Sequence, residues 1–181
     1  MKVLAINASP RPDGNTAMLL QMALGPIAAE GIETELYQLG GQMIAGCKAC
    51  YACFQNKDRR CVLTGDPVND VILKMAGADG ILLGSPTYFA DITPELKALI
   101  DRAGLVGMAS GGIFRRKVGA AVLAVRRGVY RQVHVRERRA QGAARLRIAN
   151  GHKHPHRLIH GVLLRRGIAR FLLALTRCPP V

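Results

Sequence analysis

The sequence predicts a doubly wound α/β fold, a parallel sheet with helices on both faces. Three observations predict it. Short apolar runs alternate with longer segments of mixed polarity, two of those runs end in Ser-Pro (Ser9-Pro10 and Ser85-Pro86), and 181 residues suit one such domain with a proper core. Strands that alternate with helices in this way are joined by right-handed crossovers onto a parallel sheet.

Each element has its own signal. Lys2 to Ala8 is a short apolar run, as expected of a buried parallel strand. Asn15 or Thr16 can cap the helix that follows, through roughly residue 30. Gly25-Pro26 inside it predicts a kink or an early break, because an interior proline costs about 3 kcal/mol. Glu33 to Leu39 reads as a second strand closed by Gly40-Gly41, and residues 42–65 as an irregular excursion that carries cysteines. Asp66-Pro67 opens a helix to about Ala78, with proline in the first turn and acids suiting the dipole. Gly80 to Pro86 is another buried strand, and Thr93-Pro94-Glu95 starts a helix that continues past Arg102. Lys117 to Val125 is a fourth apolar strand. Beyond Gly128 only Ile159 to Leu164 could supply a further strand and Arg166 to Leu175 a basic amphipathic helix, both atypical and without a cap.

Ligands bind such sheets outside the carboxyl ends of the strands. Three loops each follow a strand there, 9–16, 86–91 and 126–128, and they are expected to converge on one rim. The first carries neither Gly-x-Gly-x-x-Gly nor Gly-x4-Gly-Lys-Ser/Thr. Instead the chain turns through Ser9, Pro10, Pro12 and Gly14 into a helix at Asn15-Thr16, which aims free amides and a positive dipole end at an anion. Ser9 and Thr16 offer hydroxyls, Asn15 an amide, and Arg11 a charge that can fork onto phosphate. The alternative is an ordinary loop with a capping residue. In the second loop Pro86 and Thr87 shape a turn, and Tyr88 and Phe89 present flat surfaces in a chain with only four Tyr and four Phe. Their alternative role is packing the sheet edge.

Four of the five cysteines fall within fifteen residues, as Cys47-x2-Cys50-x2-Cys53-x7-Cys61. Three thiolates on one tight loop and a fourth that can swing back are the pattern of a [4Fe–4S] site, which needs four converging soft ligands. Zinc also takes four thiolates, although usually as two separated pairs. A Cys47–Cys50 redox couple, or a loop that holds nothing, would fit the same residues. No apolar run is long enough to span a membrane and the first residues lack a signal peptide's features, so the expected location is the cytoplasm. In that reducing compartment clustered cysteines serve as ligands or redox groups rather than structural disulfides.

Residues 1–128 resemble the NADPH-dependent FMN reductase family, of flavodoxin-like fold, and especially its iron–sulfur flavoprotein branch. The matching residues are Ser9-Pro-Arg11 with Gly14-Asn-Thr16, Cys47-Lys-Ala-Cys-Tyr-Ala-Cys53, Ala78 to Tyr88, and Leu96-Lys-Ala-Leu-Ile-Asp-Arg102. The resemblance implies FMN, its phosphate in loop 9–16 and its ring on Pro86, Thr87, Tyr88 and Phe89. A third contact would come from Arg126, Arg127 and Gly128. It also implies NAD(P)H as co-substrate, a [4Fe–4S] cluster on the four cysteines, a small-molecule or protein electron acceptor, and assembly as dimers or tetramers. The cofactor carries such chemistry, so no acid/base pair of side chains need appear. Indeed residues 1–128 contain no histidine from which to build a hydrolytic triad.

Charge divides the chain. Residues 1–117 hold 12 Lys/Arg against 11 Asp/Glu, whereas residues 118–181 hold 14 against Glu137 alone, with 13 of the 14 arginine. Residues 1–128 are therefore read as the FMN-binding domain, with the Cys-rich insertion 42–65, and 129–181 as a basic tail. Arginine, alanine and glycine in excess with almost no acid is what a GC-rich gene yields out of frame. A frameshift shortly after Gly128 and a poorly ordered tail are expected. The competing reading is a non-enzymatic basic module for nucleic acid or an anionic membrane face. Because charge runs are more often solvated surface, neither is the expected partner.

Overall fold

The computed structural model describes residues 1–89 and 91–125. The third flavin contact at Arg126, Arg127 and Gly128, and the whole basic tail, lie outside the described residues. Strand β1 (Lys2–Asn7) leads to helix α1 (Asn15–Ala29), followed by β2 (Glu33–Gln38) and a short helix α2 (Ala52–Asn56). Then come α3 (Val68–Gly77), β3 (Gly80–Pro86), α4 (Pro94–Ala109) and β4 (Val118–Ala124). All pairings are parallel, in the order β2-β1-β3-β4. This is the order of flavodoxin-like sheets, and it reverses direction between β1 and β3.

The sheet is closed on both faces. Leu4, Ile6 and Leu39 pack against Val68 and Ile72 of α3 and Leu96, Leu99 and Val106 of α4. On the other face Val3, Ala5, Leu82 and Val122 pack against Leu20, Leu24 and Ile27 of α1. Strand interiors buried on both sides explain why the apolar runs of β1 and β3 are continuous rather than alternating. At Gly84 a Cβ would sit 2.5 Å from the Leu20 Cδ1 atom, so glycine lets α1 lie close on β3. Strand β2 is an edge of this sheet and carries charge: Lys2 bridges Glu33 at 3.0 Å and Glu35 at 2.8 Å.

Two local expectations are corrected. Neither Asn15 nor Thr16 caps α1; Gly14 is the N-cap, and no side-chain oxygen serves the first amides. Nor does Pro26 break the helix, which runs on to Ala29. Met22, Gly25 and Pro26 lie on its exposed side, where water can stand in for the missing N–H, while Leu24 and Ile27 stay in the core. A third expectation is refined: the cysteine excursion is irregular except for α2.

Candidate functional site

The switch between β1 and β3 brings two of the predicted loops together. The Ala8 amide donates to the Gly84 carbonyl at 2.8 Å, so the loops after β1 and β3 leave the sheet side by side. In the first loop Ser9 is buried, its amide donates to Asn7 Oδ1 at 3.1 Å, and its hydroxyl accepts from the Arg11 amide at 3.2 Å. The Gly14 amide returns to the Arg11 carbonyl at 3.2 Å. Thr16 is buried and Arg11 and Asn15 are exposed. The first turn of α1 carries neither a capping side chain nor an acid. Its leading amides and dipole are therefore left for an anion. By this test the loop fits the phosphate of a flavin nucleotide.

Residues that the sequence reading missed hold this loop in place. The Gln38 amide donates to the Ser9 carbonyl at 2.7 Å and the Gly40 carbonyl at 2.9 Å, and accepts from Asn7 Nδ2 at 2.7 Å. A Cβ on Gly40 would lie 2.3 Å from the Ser9 carbonyl carbon and oxygen, so only glycine lets the end of β2 back onto the loop. The Gly40-Gly41 pair was the visible signal, although it read only as a strand end.

The second loop is a tight turn. Tyr88 and Asp91 exchange backbone hydrogen bonds of 2.7 and 2.9 Å, and the Thr87 amide donates to the Ala124 carbonyl at 3.0 Å. Pro86 and Thr87 are half-buried in the strand end. Tyr88 is about half exposed, and Phe89 is fully exposed with φ +42°, a left-handed conformation that bulky residues rarely adopt. Phe89 therefore does not pack the sheet edge; it stands out from the rim.

All four cysteines of the excursion are free thiols, and all four line one hollow, together with Tyr51 and Arg102. Cys53 and Cys61 rest on the core at the α3–α4 face. The backbone turns left-handed at Ala49 and Tyr51, on either side of Cys50, and again at Lys57 and Arg59. In this loop the Ala49 amide donates to Cys47 Sγ at 3.4 Å. Among the described residues no three His, Cys, Asp or Glu side chains stand at single-ion distances. The donor set, four thiols lining one hollow, is of the kind an iron–sulfur cluster takes.

The loop is tied down from beneath. Asn69 of α3 clamps Cys61: its Oδ1 accepts from the Cys61 amide at 2.7 Å, and its Nδ2 donates to the Cys61 carbonyl at 2.9 Å and the Leu63 carbonyl at 3.2 Å. Arg102 and Asp66 form an ion pair with side chains at 0% and 5% exposure, deep enough that neither charge is screened by water. Burial opposes both charges. For Asp66 the Arg102 guanidinium and the amides of Val68 and Ala45 outweigh it, holding the carboxyl below the ordinary aspartate range. For Arg102 the Asp66 carboxylate and the Cys61 thiol beside it outweigh it, and the proton is held more tightly than usual. Burial also pushes the Cys53 thiol up; amides of Cys53 and Phe54 oppose this, while Cys61 and Cys50 add to it.

An uncapped helix N-terminus at the switch point of a 2-1-3-4 parallel sheet defines the class: a flavodoxin-like α/β protein. Comparison with known proteins narrows it. Residues 1–142 match the NADPH-dependent FMN reductase family, and the chain belongs to that family. It is 43% identical over 122 residues to an iron–sulfur flavoprotein of Methanocaldococcus jannaschii, covering 67% of this chain and 61% of that protein. Against the iron–sulfur flavoprotein of Methanosarcina thermophila it is 34% identical, covering 67% and 62%. The chain thus spans about three fifths of the length of these curated relatives. Among solved structures, the NAD(P)H:quinone oxidoreductase from Methanothermobacter marburgensis superposes with a TM-score of 0.53 at 16% identity, over 69% of this chain and 65% of that one. A flavone reductase gives 0.51 at 21% identity, over 69% and 43%. At these identities the two structures speak for the fold alone.

Proposed function

We propose that this protein is an FMN-dependent oxidoreductase that draws electrons from NAD(P)H and delivers them to a small-molecule or protein acceptor by way of a [4Fe–4S] cluster on Cys47, Cys50, Cys53 and Cys61. The observation that carries the reading is the pairing of two differently built sites in one chain: an uncapped helix N-terminus at the sheet's switch point and four thiols around one hollow. FMN held there would supply hydride acceptance from the nicotinamide and electron release singly or as a pair.

The chain's own part is binding and orientation. Ser9, Gly14, Asn15 and Thr16 would hold the phosphate through amides and hydroxyls, and Arg11 would add a positive charge from the exposed side. Pro86, Thr87, Tyr88 and Phe89 would flank the ring, the two aromatics by their faces. Arg126, Arg127 and Gly128 complete the proposed flavin contacts. On the other side of the chemistry, the thiolates of the four cysteines would anchor the cluster, with the Ala49 amide moderating the charge on Cys47.

The test is an absorbance spectrum, with flavin, iron and sulfide assays, of full-length protein purified without oxygen. The expected result is equimolar FMN together with iron and acid-labile sulfide in equal amounts, both bleached by a reduced nicotinamide. Colourless protein that stays colourless after incubation with FMN would overturn the proposal.

A further inference from the structure

Arg102 is an odd residue for its position. Helix α4 presents Leu96, Leu99, Ala103 and Val106 to the core, and Arg102 falls among them with 1% of its surface exposed. A buried guanidinium needs partners for its five N–H donors. One terminal nitrogen donates to the Asp66 carboxylate and to the Ala45 carbonyl at 3.2 Å, and the other to the Leu63 carbonyl at 2.8 Å. Those partners bracket the cysteines: Ala45 stands two residues before Cys47, and Leu63 two residues after Cys61. The fork cinches both ends of the loop.

Of the two N–H groups left over, the second on the outer nitrogen and the one on Nε, the latter is different. Nε–H is buried and has no partner, an arrangement that is costly when left unmet. Arg102 also lines the hollow with the four cysteines and stands beside the Cys61 thiol. We propose that Arg102 is the positioning residue of the cysteine site: its Nε–H is held in reserve for the Cys61 sulfur, and becomes satisfied when Cys61 ligates the cluster as a thiolate. This rests on the cluster reading given above.

The consequence is electrostatic. A cluster that takes up one electron gains one negative charge, and its potential is set by net charge, burial and hydrogen bonds to its sulfurs. A fixed cation donating to one of those sulfurs favours the reduced form. Lysine at this position keeps the charge, but a single ammonium has no side-facing donor of this geometry and cannot reproduce a planar fork. Losing a hydrogen bond to a charged sulfur lowers the equilibrium constant for electron uptake on the order of tenfold.

The experiment compares wild-type and Arg102→Lys full-length chains, each reconstituted anaerobically with iron and sulfide and titrated electrochemically under EPR observation at matched iron content. The expected result is a lower midpoint potential in the variant, equivalent to that tenfold loss; an unchanged potential overturns the proposal. Should the variant fail to hold iron, wild-type protein grown with 15N-arginine decides. A nitrogen coupling from arginine on the reduced cluster in pulsed EPR is expected, and its absence overturns the assignment. Wild-type protein that takes up FMN but no iron or sulfide fails differently: it removes the cluster reading itself, and this inference with it.

Discussion

The loop of residues 9–16 and the loop of residues 42–65 are built on opposite principles. The first is a product of the regular fold: a strand ends, a helix begins, and β2 closes behind it through Gln38 and Gly40. The second is irregular backbone apart from α2, with left-handed residues at Ala49, Tyr51, Lys57 and Arg59, held from below by Asn69, the Asp66–Arg102 pair and the packing of Cys53 and Cys61 on the core. A cradle made by secondary structure exists before its ligand arrives. A cysteine loop with half-exposed thiols owes its final geometry to what it binds, and its stability without ligand to the residues beneath it.

That contrast can be broken in order of effect. Asp66→Ala leaves the Arg102 charge buried without its carboxylate, which costs about 3–5 kcal/mol in comparable pairs. Urea denaturation of the apo chain should show that loss, and hydrogen exchange should localise it to the cysteine loop and α4 rather than to β1 and α1. Gly40→Ala acts on the other loop. Its Cβ would meet backbone rather than a flexible side-chain end, so Ser9 must move, and overpacking of this kind costs about 1–3 kcal/mol. FMN affinity should fall at least about tenfold, while iron content is retained.

A pH series sharpens the comparison further. The folded-state value of Asp66 is depressed, so the stability it contributes is fully present above the ordinary aspartate value of about 3.9. It is lost as pH falls through the depressed value. Acid unfolding of the apo chain should therefore show a stability decline below that range that Asp66→Asn removes. The smallest effect belongs to Gln38→Ala, which deletes the donor to the Ser9 and Gly40 carbonyls. A net hydrogen bond contributes about 1 kcal/mol, and FMN titration should register a few-fold weakening without change in the cysteine loop.

The contrast also explains what was legible in the sequence. Strands β1, β3 and β4 and helices α3 and α4 were readable because continuous apolar runs and proline-opened helices have local causes. That Cys47, Cys50, Cys53 and Cys61 would gather in one place was readable from their spacing. The supports were not. Asn7, Gln38 and Asn69 act across 29 to 31 residues or from a neighbouring helix face, and nothing local marks a polar residue as a clamp. Arg102 did leave a trace, a charge inside the apolar stripe Leu96, Leu99, Ala103 and Val106, which implies a buried partner without saying which. The cap of α1 was misread because Asn and Thr are good N-caps in general, whereas here Gly14 takes that position and leaves the first amides without a side-chain partner.

The central claim is that the amides and hydroxyls of residues 9–16 grip a flavin by its phosphate. Calorimetric titration of the apo chain with FMN and with riboflavin tests it most directly, since the two differ only in that group. Charge-assisted hydrogen bonds to the phosphate predict binding of FMN on the order of a hundredfold tighter than of riboflavin. Equal affinity for the two would contradict the account.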